Sequence, residues 1–130
     1  MIIKDNQDEL LAIILKPSEI KDQKFFATDN DIELQLASFQ LDVGEEIIRH
    51  YHPKQERSIS LTSEVIIVTE GKIEVEIYDT NLELNSIHEI KNNEIIALFN
   101  GGHKIKMLEK SKFIEVKQGP YNPETDKKHF

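Results

Sequence analysis

Four side chains in this sequence carry the donor types a divalent metal takes. His50 and His52 stand two residues apart in Glu46-Ile47-Ile48-Arg49-His50-Tyr51-His52. That stretch has strand character, which sends both imidazoles out of one face. Glu64 opens the apolar run Glu64-Val65-Ile66-Ile67-Val68, and His103 follows the double glycine Gly101-Gly102. Strand pairing that gathers His50, His52, Glu64 and His103 would make a nitrogen and oxygen ligand set, open to solvent on one side and suited to Zn, Fe(II), Ni or Mn. Such an ion polarises a carbonyl or hydroxyl, which suits isomerisation, epimerisation or hydration, and Fe(II) adds oxygen chemistry. The plainer reading takes each residue singly. His50 and His52 are then polar lining, His103 caps a turn, and Glu64 pairs at the surface with Arg57 or Lys72. Arg49 and Tyr51 alternate onto the opposite face, and Glu46 shares the histidines' face as a proton carrier or a solvated strand end. His88 and His129 read as solvated.

Composition narrows the partners. The chain has 130 residues, enough for one domain with a continuous core. It has no cysteine, so disulfides and thiolate metal sites are excluded. A net charge of -8, from 24 acidic against 16 basic residues, argues against nucleic acid as the main partner. Lys104, Lys106, Lys110 and Lys112 recur, but they alternate with apolar residues as on a wet strand face. Met1 to Asn6 lacks the apolar centre of a signal peptide, and no apolar run nears the roughly 20 residues of a membrane span. The expectation is a cytoplasmic protein with a small-molecule ligand and no membrane partner.

The elements that must position these residues read as short strands. Leu10 to Lys16 is an apolar run ended by Pro17, and Lys24 to Thr28 is a second extended piece. From Ile32 to Phe39 the chain alternates, with Ile32, Leu34, Leu36 and Ser38 on one side. Glu46 to His52 is the next expected strand, and Ile59 and Leu61 suggest strand in the polar stretch that follows. Glu64 to Thr69 and Lys72 to Tyr78 flank Glu70-Gly71, which predicts a hairpin. Leu82 to Leu84, Ser86 to Ile90, Glu94 to Phe99, His103 to Leu108 and Lys112 to Lys117 complete the set. No amphipathic helix of ordinary length is present, so the class is all-β, a sandwich or small barrel. Residues 118–130 carry two of the four prolines and no periodicity, which predicts a flexible tail, although Tyr121 and Phe130 are able to pack back.

Gly44, five residues, His50-Tyr51-His52, then Glu64, six residues and Gly71 resemble the first signature of the cupin superfamily. That signature places its glutamate three or four residues after the second histidine. The longer gap here leaves Glu64 and Glu56 as alternatives, with Glu64 favoured by its spacing to Gly71. Asn93 through Phe99 to Asn100-Gly101-Gly102-His103 approximates the second signature, without its usual proline and terminal asparagine. The resemblance covers roughly residues 32 to 117 and implies a double-stranded β-helix, or jelly-roll barrel, as a single domain over 1–130. Thr62-x-Glu64-Val65, Gly101-Gly102-His103-x-x-x-Met107-Leu108 and Glu115-Val116-Lys117-Gln118-Gly119-Pro120-Tyr121 look like small stand-alone cupins associated with bacterial surface-polysaccharide and sugar biosynthesis.

Three functions follow as expectations. The first is a metal-binding protein acting on a small sugar or sugar nucleotide in carbohydrate metabolism. The second is a metal-free isomerase or epimerase with His50 and His103 as acid and base. The third is a small-ligand-binding module without turnover. Sandwich edges need protection, so a homodimer is expected, with the apolar Leu10 to Lys16 segment pairing across a two-fold axis.

Overall fold

The computed structural model describes residues 1–130 and is built almost wholly of strands. In chain order these are β1 (Ile2–Lys4), β2 (Leu10–Leu15), β3 (Lys24–Phe26), β4 (Ala37–Phe39), β5 (Glu64–Glu70), β6 (Lys72–Tyr78), β7 (Leu84–Lys91), β8 (Ile95–Leu98), β9 (Gly102–Met107) and β10 (Lys112–Lys117). A single 3-10 turn at Pro17–Glu19 ends β2, where proline removes a ladder donor. No helix is long and apolar enough to cross a membrane.

Two open sheets face each other. One has the order β1-β2-β8-β5-β10 and the other β7-β6-β9. Leu11, Ile14, Ile66, Val68, Ile96 and Leu98 from the first meet Ile73, Val75, Ile77 and Ile90 from the second in one core. Alternation explains the faces: Ile73, Val75 and Ile77 are fully buried, while Glu74 and Glu76 point out. The other face of the large sheet is covered as well. Ile13, Ala97 and Phe99 pack there against Ala27, Ile32, Leu34 and Leu36, contributed by the β3–β4 ribbon and the chain between its strands.

Several expectations change. Glu70-Gly71 does not close a hairpin, because β5 and β6 lie in different sheets. Gly71, at φ +81°, is the corner where the chain leaves one layer for the other. The hairpin is instead β6–β7, turned by Asp79 to Glu83. Leu10 to Leu15 is no interface strand, since β1 and β8 pair with it on its two sides. Of Ile32 to Phe39 only Ala37–Phe39 forms strand, although Ile32, Leu34 and Leu36 share the buried side as their spacing predicts.

The largest correction concerns residues 40–63, which contain no strand. Glu46 to His52 has no face that can be buried. Ile48 falls with His50 and His52, and Ile47 and Tyr51 fall with Arg49, so either sheet face would desolvate a charged or imidazole group. Ile48 is 81% and Tyr51 84% exposed. Side chains of other segments hold the ends of this excursion. Gln23 Nε2 donates to Glu45 at 2.7 Å, and the Glu33 carboxylate accepts the backbone N–H groups of Ser60 and Leu61 and the Ser60 hydroxyl. Those donors hold the Glu33 carboxyl below the usual carboxylate range.

With no strand from this region laid beside them, β9 and β10 are sheet edges. Their inward-facing residues line an open side of the sandwich. Met107 is 45% exposed, and Phe113 is 38% exposed.

Candidate functional site

The four sequence-selected residues form two separate pairs. Glu64 begins β5 on its inward face, one step before the buried Ile66 in alternation. His103, the second residue of β9, lies opposite the buried Ile77, so it too points between the sheets. Their side chains meet at the mouth of the sandwich, with His103 Nε2 3.2 Å from Glu64 Oε2. The pair therefore links the two layers. Lys117, the register partner of Glu64 on β10, places Nζ 3.9 Å from its other carboxylate oxygen. The hydrogen bond with His103 holds the Glu64 carboxyl below its ordinary range. Burial opposes that shift, and the charges of His103 and Lys117 reinforce it.

The plainer sequence reading of Glu64, a surface pair with Arg57 or Lys72, does not hold, because its partners are His103 and Lys117. Sequence reasoning also missed Lys117 and Asp126. Asp126 lies on a turn in which the backbone N–H groups of Thr125 and Asp126 bond to the Asn122 carbonyl. That turn returns its carboxylate to the Lys117 ammonium as an ion pair. Lys117 is legible in hindsight, because inward alternation along β10 sets it opposite Glu64. Asp126 gives no sequence signal, since nothing periodic leads to it.

His50 and His52 make the second pair, on the excursion. Their rings meet edge to face with centroids 5.2 Å apart, and the His50 Nδ1 is 2.9 Å from the Ile48 carbonyl. They border a cavity of about 540 Å³ with Lys24, Phe26, Phe39 and Ile47. The β3–β4 pairing sets Lys24 opposite Phe39. The Lys24 ammonium sits 4.6 Å from the Phe26 ring centroid and 5.7 Å from that of Phe39. The result is an aromatic floor with one cation and two imidazoles around it, a lining that accepts a flat or apolar ligand face together with polar or anionic groups.

No three His, Asp or Glu side chains converge tightly enough to share an ion. The physical reason is the missing strand at Glu46 to His52, which was to carry His50 and His52 to Glu64 and His103. Glu56 is exposed on the same excursion and joins neither pair. His88, expected in solvent, is half-buried with Nε2 3.0 Å from the Ser86 hydroxyl, and burial lowers its pKa. Comparison with protein-family models, curated proteins and solved structures gives no match to this chain.

Proposed function

We propose that the protein binds a small sugar-derived ligand, of the sugar or sugar-nucleotide class, on a cupin-like jelly-roll framework. The observation that carries this reading is the 540 Å³ cavity, in which an aromatic floor lies beneath Lys24, His50 and His52. A base or the apolar face of a sugar ring stacks on Phe26 and Phe39. Phosphate goes to the ammonium of Lys24, and the imidazoles exchange hydrogen bonds with hydroxyls. Titration calorimetry with uridine diphosphate glucose tests it. Saturable binding that weakens about tenfold in Phe39→Ala is expected, in line with the loss of one stacking contact. Absence of saturation below about 1 mM would remove the reading. Product formation from the bound sugar nucleotide separates an isomerase or epimerase from a binding module.

Metal dependence is the second reading, favoured by the donor chemistry of the two pairs, three imidazoles and one carboxylate. As arranged, these residues do not fit one ion, and no chemical step is assigned to it. Elemental analysis of untagged protein tests this reading, with His50→Ala and His103→Ala as controls. Stoichiometric Zn, Fe, Ni or Mn lost in both variants supports it. Metal-free protein whose melting is unmoved by added Zn or Ni counts against it.

A further inference from the structure

The ladder between β5 and β10 ends at Glu64 and Lys117. One residue further the Gln118 side chain takes the place of a ladder bond by accepting the Ser63 N–H at 2.7 Å. Beyond it Pro120 has no N–H to donate, and the two chains separate. Residues 59–62 on one side and 118–126 on the other then enclose a polar cavity of about 230 Å³. Bonds within the protein already fix its walls. The Glu33 carboxylate holds Ser60 through the backbone N–H at 2.9 Å and the hydroxyl at 2.8 Å. On the opposite wall the Asn122 carbonyl accepts the N–H groups of Thr125 and Asp126, and Lys117 pairs with the Asp126 carboxylate. The Asp126 side chain is only 9% exposed. Lys117 takes its Oδ2, which leaves Oδ1 accessible on a residue that lines the cavity.

Size, charge and donor types select the occupant. The volume lies below the roughly 300 Å³ at which pockets for drug-sized ligands begin, so the occupant is no larger than one ring with its substituents. Lys117 is shared among the carboxylates of Asp126, Glu64 at 3.9 Å and Glu115 at 3.8 Å, so acid outweighs base beside the cavity and repels a phosphate. The same ammonium already supplies Asp126 with the counter-charge that a metal ion would bring. What remains is hydrogen-bonding capacity: the Asp126 carboxylate accepts, the Gln118 amide nitrogen donates and the Thr62 hydroxyl does either. Ile59, Leu61 and Pro120 add apolar surface for C–H groups. We propose that this cavity binds one small uncharged polyhydroxy ligand of the monosaccharide class, with Asp126 and Thr62 taking its hydroxyls and Gln118 donating to one of its oxygens. The site shares no lining residue with the 540 Å³ aromatic cavity and does not rest on the reading given for it.

The experiment is titration of the isotope-labelled full-length chain with D-glucose, D-galactose and D-mannose, followed at the Gln118 side-chain amide by heteronuclear NMR. At least one of these sugars is expected to shift that signal saturably, with a Kd on the order of 1 mM for so few ligand atoms. Asp126→Asn keeps an oxygen for Lys117 and is expected to weaken binding about tenfold, the loss of one charge-assisted hydrogen bond. Thr62→Val keeps the branched shape and is expected to weaken it severalfold. The monophosphate ester of the same sugar is expected to bind more weakly than the sugar. Absence of a saturable shift below about 20 mM with all three sugars overturns the inference. Unchanged affinity in either variant, or tighter binding of the phosphate ester, overturns it too. Phe39→Ala is expected to leave this titration unmoved; a loss there in place of the other two variants assigns the sugar to the aromatic cavity and also overturns the inference.

Discussion

Gly71→Ala tests the corner on which the arrangement of Glu64 and His103 depends. At φ +81° the substitution places an L side chain in left-handed backbone, which costs roughly 1–2 kcal/mol. The added Cβ also meets the Lys110 carbonyl inside van der Waals contact and lies 2.6 Å from Ser111 Oγ. Ser111 cannot retreat freely, because its hydroxyl accepts the Lys72 N–H at 3.1 Å and lies within hydrogen-bonding distance of the Lys72 and Glu109 carbonyls. Displacing it forfeits about 1 kcal/mol for the lost bond and leaves a half-buried N–H unpaired. The sum is a loss of about 2–4 kcal/mol before the Lys110 backbone, which lies nearest the added Cβ, gives way. Gly44 supplies the control, with φ +91° and nothing within 4 Å of an added Cβ, so Gly44→Ala costs only the backbone part, about 1–2 kcal/mol. Urea unfolding followed by far-ultraviolet circular dichroism measures both, and an unchanged m-value confirms that the unfolded state is the same. Equal losses in the two variants, or a Gly71→Ala cost below about 1 kcal/mol, would refute the claim that β5 and β6 part company at a crowded corner.

Two further predictions concern the mouth and the edges. The Glu64 carboxyl is depressed in the folded protein, so its contribution to stability is complete above the ordinary carboxylate pKa of 4.5 and is lost as pH falls through the lowered value. Glu64→Gln removes that dependence, and its urea midpoint is expected to fall less steeply than wild type on acidification below about pH 4.5; parallel curves would dispose of the coupling to His103. Sedimentation is expected to report twice the chain mass of 15.1 kDa, because β10 leaves a ladder edge free with Ile114 and Val116 each more than half exposed. Ile114→Lys is expected to return the monomer, and wild-type sedimentation at the chain mass would remove the dimer.

Much of the fold is legible in the pattern. Continuous or alternating apolar residues locate β2, β5, β6, β8, β9 and β10 to within a residue or two, since burial of one or both faces leaves a period that can be read directly. β1 escapes because three residues are too few to show a period. The Gly71 error has a different origin. A glycine between two strands reports that the chain reverses in left-handed conformation, but the same local geometry serves a hairpin within one sheet and an arch between two. What decides is which strands offer an apolar partner elsewhere in the chain. β5 finds β8 and β10, and β6 finds β7 and β9.

The site was less legible than the fold, because alternation was asked to do what burial must do. Placing His50 and His52 on one face is a statement about geometry if a strand forms, whereas formation needs a face worth burying, and Glu46 to His52 offers two mixed ones. Glu64 and His103 do meet, because each sits at the end of a strand whose next inward residues are anchored in the core, Ile66 beyond Glu64 and Ile105 beyond His103. The core therefore fixes one pair across the mouth. The other pair lies on a long excursion fastened near its ends, by Gln23 and Glu33 and by the Gln118 side chain, which accepts the Ser63 N–H. Ligand binding here has to add the tethering free energy that the missing ladder does not supply. A ligand contacting both the β3–β4 aromatics and the two imidazoles supplies it directly, which is why the aromatic cavity, and not the four-residue set read from the sequence, carries the functional proposal.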